Sequence, residues 1–348
     1  HTVNGDSPSL SCSKVLLYSF TMKIALPLLL LLCFLSLSVG SVSLSLQEVV
    51  DALLGGGDDM ARFVVIESRL PQMITAVLAG IALSVSGLVM QTLFANPLAD
   101  PALLGVNSGA SLGVALAMLL LGGSWAVGNT IVSGLGLTIL FAFMGACAVI
   151  ALLLVCSHYL RGNLALLVVG VMLSFVLSAV ISLLSFYASA DGVRDFVVWG
   201  MGDFSSVVLT RLPFMALMIL LPSLGIWACS RSLNALLLGS DYAANLGIRV
   251  QRVRTLLLLL IGLLTATVTA LCGPISFIGL AVPHMARLFV RSANHQRLIP
   301  QTIILGAIVA VLSLILSHLP GERGVLPLAA ITPFIGVPMV VYILMRRR

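Results

Sequence analysis

Long stretches almost free of charge dominate this sequence, and they leave few folds open. Ile24–Val39, Leu212–Ala228 and Leu256–Leu271 each run without one Asp, Glu, Lys or Arg. Such runs approach or reach the roughly 17–25 residues that a helix needs to cross the hydrocarbon of a bilayer. Across 348 residues, 60% are hydrophobic and 9% charged, whereas soluble domains carry about one quarter charged residues. A water-soluble core could not hide that much apolar surface. Membrane β-barrel strands would alternate apolar and polar residues over about ten positions; here Leu, Val, Ile and Ala continue without alternation. The predicted fold class is therefore all-α, a polytopic transmembrane helical bundle.

Apolar runs set against polar punctuation give ten candidate spans, at about 23–43, 70–92, 101–121, 131–155, 163–187, 212–228, 253–272, 276–290, 299–318 and 326–345. Gly273-Pro274 divides the seventh from the eighth, so that pair reads either as two crossings or as a hairpin or re-entrant element. Charge gives an independent check, because cytoplasmic loops retain Lys and Arg. With the amino terminus inside, 13 of the 18 basic residues fall on the cytoplasmic side, among them Lys23, Arg161, Arg231, Arg249, Arg252, Arg254, Arg287, Arg291 and Arg297. Arg62, Arg69, Arg194, Arg211 and Arg323 fall outside. This asymmetry predicts ten spans with both termini cytoplasmic. Residues 1–21 are polar and precede Met22-Lys23, which reads like a natural start, so they are set apart as a tag or extension from a membrane domain at 22–348. A signal peptide over Ile24–Val39 is the alternative, but no convincing small-residue cleavage site follows.

Several chemistries lack their residues. The six cysteines show no CxxC spacing, which leaves neither a disulfide framework nor a metal site to argue for. No GxxxxGK[ST] phosphate loop is present, since the only lysines are Lys14 and Lys23, so the chain does not hydrolyse ATP by that device. No GxSxG, HExxH or paired intramembrane acids suggest an enzyme. Ion-coupled transporters keep titratable groups inside their spans; here nearly all such groups fall in loops or at span ends, with His158, His284 and His318 at boundaries. An ion-driven secondary transporter is thus disfavoured, and a non-transporting anchor or sensor is the third reading. The 31 glycines read first as close helix packing, as in Gly80–Gly87, Gly105–Gly113 and Gly134–Gly145.

One cytoplasmic loop is more structured than a connection requires. Residues 231–254 read RSLNALLLGSDYAANLGIRVQRVR, with apolar stretches broken at Gly239 and Gly247 and with Asp241 at a helix start. Two short helices with a glycine turn would form a compact knob; a helix resting on the bilayer is the plainer alternative.

At this loop the sequence resembles a known family. GSDYAANLGIRV at Gly239–Val250 and CGPISFIGLAVPHMARL at Cys272–Leu288 are similar to the signature of the iron-chelate, haem and vitamin B12 permeases, the FecCD-type or type II ABC importers. RLP at Arg69–Pro71, GIALSVSGLVMQTLFANPLADPALLGVNSGASLG at Gly80–Gly113 and TPFIGVP at Thr332–Pro338 resemble the remaining motifs, in the family's order, over roughly residues 45–345. The resemblance implies ten helices per subunit, a homodimer or a pair of related permeases, two cytoplasmic ABC ATPase subunits and a periplasmic substrate-binding protein in a bacterial inner membrane. It implies no nucleic-acid partner and no cofactor on this chain, with ATP and Mg on the partner ATPase. The knob then becomes the ATPase-coupling element, carried by Gly239, Asp241, Ala244, Leu246, Gly247 and Ile248. Asn96, Pro97, Gly105, Gly273, Pro274, Pro283, His284 and Arg287 belong to the matched motifs.

Two departures bear on the periplasmic face. Gln72 stands where the family usually has Arg in RLPR, and SLILSHLPGERGVLP at Ser313–Pro327 lacks the usual Asp and Glu. Arg69 and Arg323 are the basic residues left to pair with acids on a binding protein. By analogy the translocation path is lined by the second, fifth and eighth spans, which offer Met73, Met90, Met172, Ser178 and Tyr187. An uncharged lining suits a bulky iron chelate or haem, with cobalamin as the alternative cargo.

Overall fold

The computed structural model describes residues 8–40, 42, 44–122, 124–127, 130–133, 135–160, 163–321 and 324–346. Its helices are α1 (Pro8–Ser38), α2 (Leu46–Leu53), α3 (Asp59–Phe63), α4 (Leu70–Leu93), α5 (Val106–Ala115), α6 (Leu135–Tyr159), α7 (Asn163–Tyr187) and α8 (Ala190–Gly200). There follow α9 (Leu212–Ala228), α10 (Ser230–Leu236), α11 (Ser240–Asn245), α12 (Val250–Cys272), α13 (Ile278–Val290), α14 (His295–Ser317) and α15 (Leu328–Arg346). Among the described residues, the only strands are β1 (Ser124–Val127) and β2 (Thr130–Ser133), an antiparallel hairpin with Ser124 opposite Ser133.

Each of the ten apolar segments coincides with an apolar helix. Six are long enough to cross a bilayer: 59–93, 136–157, 165–187, 209–228, 250–272 and 295–317. Four are shorter, at 22–38, 106–120, 278–290 and 328–342. The boundaries differ where local chemistry intervenes. The third segment, expected from 101, begins with a 3-10 turn at Pro101–Leu104, and Gly105 at φ 78° separates that turn from α5. The fourth, expected from 131, gives its first residues to β2.

Burial sorts the long helices into inner and outer ones. The most apolar windows of 59–93, 295–317 and 250–272 are 83%, 78% and 72% buried within the chain, against 11% for α7. Lipid tails are as apolar as Leu, so packing rather than hydrophobicity must hold such helices together, and small residues provide it. On α4, Gly80 lies against Gly306 of α14, and Gly87 against Gly279 of α13. Ser84 adds a hydrogen bond from its hydroxyl to Thr302 O at 3.2 Å. On the outer side of the core, Gly113 of α5 meets the Phe141 backbone of α6, and Gly145 returns to Gly109.

α13 is too short to cross the hydrocarbon by itself. Thirteen residues rise only about 20 Å at 1.5 Å each, against a hydrocarbon thickness of about 30 Å. α12, with 23 residues, is long enough to cross, whereas a crossing by the next segment needs the non-helical stretch between Cys272 and Ile278 together with α13. Backbone outside a helix is tolerated at membrane depth only where protein satisfies it. Here Asp203 N–H donates to Cys272 O at 2.8 Å, and Gly273, at φ 76°, has no room for a Cβ beside Trp199 O.

Candidate functional site

The loop between α9 and α12 is built as two short helices. α10 turns its Leu233 and Ala235 inward, and α11 its Ala243, all buried, while Leu237, Leu238, Tyr242 and Leu246 stand exposed. Gly239 precedes α11 at φ 109°, and exposed Asp241 occupies the first turn, where a carboxylate favours the positive end of the helix. α11 ends in a Schellman motif: Ile248 N–H donates to Ala243 O at 3.1 Å and Gly247 N–H to Ala244 O at 2.9 Å. That arrangement requires a left-handed residue after the helix cap, and Gly247 supplies it at φ 80°. Ala244 is exposed and Ile248 half-buried. The knob is therefore a folded, projecting element with an apolar outer face.

A second cluster joins two of the sequence motifs into one unit. After α4, Asn96 Oδ1 accepts from Leu98 N–H at 2.9 Å. Pro97 O accepts from His284 Nε2 at 2.8 Å. The Asp100 carboxylate accepts from Ala102 N–H at 2.8 Å and from the Leu280 backbone of α13. Phe277, which precedes α13 at φ 68°, offers no side-chain cap, so Asp100 serves that helix start from another part of the chain. Burial pushes the Asp100 carboxyl above the ordinary carboxylate range, and the two backbone donors pull it partly back. Gln91 spans the same gap: its amide donates to Leu280 O at 3.2 Å, and its carbonyl accepts from Arg287 Nη1. Pro283 is buried within α13 and Pro274 half-buried before it. Gly105 packs beside Gly170 and Ser174 of α7. His284, placed at a boundary by the sequence, is 4% exposed and structural.

Two of the expected site residues are buried within the chain. Arg69 does not present a free charge to the outside: it is 6% exposed, donates to Leu37 O at 2.6 Å and also to Val42 O. Leu37 lies in the last turn of α1, whose carbonyls lack helical partners, so the guanidinium closes that helix end. Met90 is fully buried in the core of its own chain. Met73 is half-buried beneath the cluster of Leu37, Val49, Ala52 and Val65. On α7, by contrast, Met172 and Tyr187 are 55% and 83% exposed, and Ser178 is exposed between them. Arg323 lies outside the described residues. Among the described residues, no group of three or more His, Cys, Asp or Glu could hold a metal ion.

Comparison with known proteins decides the family. The model of the FecCD transport family matches residues 28–346. The chain belongs to that family. It is 35% identical over 338 residues to the ferric enterobactin transport system permease protein FepD of Escherichia coli strain K12, covering 94% of this chain and 96% of FepD. It is 34% identical over 288 residues to the vitamin B12 import system permease protein BtuC of Citrobacter koseri, covering 80% and 82%. A solved structure described as an inward-facing conformation of a metal-chelate type ABC transporter superposes with TM-score 0.80 at 29% identity, covering 94% of this chain and 99% of that one. This FecCD-family chain is thus the multi-pass, non-catalytic permease subunit of an ABC importer, and ATP is bound by the partner ATPase. Such a permease works in a pair, with ATPase and binding-protein partners.

The resemblance was carried by Gly, Pro and His motifs, and it passed over the polar residues that tie them together. Gln91 and Thr92 lie inside the matched Gly80–Gly113 stretch and Asn234 inside the 231–254 loop, but only their juxtaposition in space with His295 distinguishes them.

Proposed function

We propose that this permease passes a bulky iron chelate, a ferric siderophore or haem, from a periplasmic binding protein to the cytoplasm, as a homodimer driven by two ATPases. The carrying observation is the outward face of α7: a 25-residue helix without a charged side chain, exposing Met172, Ser178 and Tyr187. A free metal ion would need several oxygen, nitrogen or sulfur ligands to replace its water, and an oxyanion would need positive donors. A chelate already wrapped in its own ligands needs neither, and a surface that does not hold it allows release. The identity to FepD supports an iron chelate, and the nearly equal identity to BtuC keeps cobalamin as the second cargo.

The α10–α11 element is the coupling knob, its exposed Leu237, Leu238, Tyr242 and Leu246 seated in a groove of each ATPase. In this reading the membrane is the inner membrane and both termini lie in the cytoplasm, in keeping with the basic residues between α9 and α12. The test is ATP-driven uptake into proteoliposomes holding the whole assembly and its binding protein, with haem, a ferric siderophore, cobalamin and molybdate at equal concentration. Uptake of the siderophore or haem is expected. Uptake of cobalamin alone moves the assignment to the second cargo, and uptake of molybdate alone overturns the chelate reading.

A further inference from the structure

The knob is joined covalently to the membrane helices at both ends, through Cys229 from α9 and through Gly247–Arg249 into α12. A third connection is a partly buried polar contact at the cytoplasmic end of the bundle. Asn234 of α10 accepts at Oδ1 from two donors of His295, the backbone N–H at 2.8 Å and ring Nδ1 at 2.9 Å. Its amide donates to Asn294 Oδ1 at 2.9 Å, and Asn294 in turn caps α14 through Gln296 N–H at 2.9 Å.

The donors fix the chemistry. A backbone N–H can only donate, so the Asn234 atom facing His295 is its oxygen, and Nδ1 carries the ring proton. In the neutral ring Nε2 is then an acceptor, and it lies 2.9 Å from the Thr92 hydroxyl in the last turn of α4, whose single proton it shares with Leu88 O at 3.0 Å. His295 is 1% exposed and Thr92 5% exposed, so this end of the chain is shielded from competing water, while Asn234 is half-buried and Asn294 exposed. Next to Thr92, Gln91 reaches α13 through Leu280 and Arg287. Higher on α4, the Gly80–Gly306 approach holds α14 backbone to backbone. By comparison, Gly247 has no atom near the space a Cβ would fill, so at that turn the covalent route into α12 is held by its two backbone hydrogen bonds rather than by crowding.

We propose that Asn234 is the pin of the coupling knob, a positioning residue that makes α10, α14 and α4 move as one body when the ATPases close. This rests on the proposed role of α10–α11 as the ATPase-docking element and names the route by which the motion leaves it. Rigid-body movement of packed elements is how such transitions commonly travel, and a partly buried hydrogen-bonded joint with two discrete states, made or broken, gives the route a physical carrier.

The experiment uses the assembled permease–ATPase complex, spin-labelled at Ser240→Cys on α11 and at Leu319→Cys beyond α14. Both positions are exposed. Their separation is measured without nucleotide and with ATP and vanadate. In the otherwise unaltered chain the distance should be the same in both states. With Asn234→Leu it should shift or broaden by more than about 2 Å, the scale of helix shifts in such transitions. Asn234→Asp, which keeps the acceptor for both His295 donors, should restore the narrow distribution; a merely space-filling role for Asn234 would not respond to that difference. Uptake per ATP hydrolysed should fall roughly tenfold in Asn234→Leu, inside the ~5–150-fold range of coupling between sites. A nucleotide-dependent distance in the unaltered chain, or an unchanged one in Asn234→Leu, overturns the pin. Failure of the unaltered permease to retain any ATPase overturns the docking role instead, which keeps the two ideas separable.

Discussion

Gly80 on α4 and Gly306 on α14 meet so closely that a Cβ on Gly80 would lie 2.2 Å from Gly306 O, and one on Gly306 would lie 2.4 Å from Gly80 O. The atoms in the way are backbone, which cannot swing aside as a side-chain tip can. Gly80→Ala should therefore force α4 and α14 apart and cost about 1–3 kcal/mol, the usual penalty for overpacking. Gly136, which has open space around it, is the control position. Thermal unfolding of the purified variants in detergent checks this, and equal melting of Gly80→Ala and Gly136→Ala would remove the argument.

Arg69 closes the end of α1 rather than facing a partner. Arg69→Ala should leave the Leu37 and Val42 carbonyls without their donor and cost about 1–3 kcal/mol, seen as a lower melting temperature with binding-protein affinity changed little. Arg69→Lys should recover only part of that loss, because a single ammonium cannot reproduce the planar fork that serves two acceptors. Binding measured by titration against the periplasmic protein separates the two roles. A large loss of affinity with unchanged stability would return Arg69 to the docking surface.

Gly247 is required by its backbone conformation and not by crowding, since its φ is 80° and nothing lies within 4 Å of the added carbon. A left-handed conformation costs a Cβ-bearing residue roughly 1–2 kcal/mol, more for a β-branched one. Gly247→Val should therefore undo the Schellman turn and lower uptake per ATP hydrolysed, while Gly247→Asn, which visits this conformation more readily, should be mild. Parallel assays of ATP hydrolysis and uptake report the ratio directly. Full coupling in Gly247→Val would show that the turn does not transmit motion.

The charge asymmetry predicts an orientation that labelling can read. Leu319→Cys should react with a membrane-impermeant maleimide in intact cells, and Ser240→Cys only after the membrane is opened. Reaction of both from the same side would contradict the odd number of crossings that separates them.

The architecture was legible in the sequence wherever a single helix could be judged alone. α7 and α9 follow directly from charge-free runs, and the break at Gly273-Pro274 was visible from its two residue types. What escaped depends on contacts between distant segments. Arg69 sits at a span boundary, where a charge ordinarily meets water, but the unpaired carbonyls of α1 draw it inward. Met90 lies on a helix apolar on all sides, so no periodicity tells a path-facing position from a core one. Asp100 carries no sign in the sequence that its carboxylate serves the start of α13. The knob was readable from Gly239, Asp241 and Gly247, whereas the role of Asn234 emerges only when His295 is brought beside it.

The partial helix α13 bears on how the chain can be assembled in the membrane. A segment that starts within protein, with exposed backbone groups before it, is a poor candidate for release into lipid by itself. The groups that receive it are Asp203 for the Cys272 carbonyl, Asp100 and Gln91 for Leu280, and Pro97 for His284. All of them precede it in the sequence. As synthesis proceeds from the amino terminus, these polar partners are made before Ile278, while α14 and α15, which also pack on α13, are made after it.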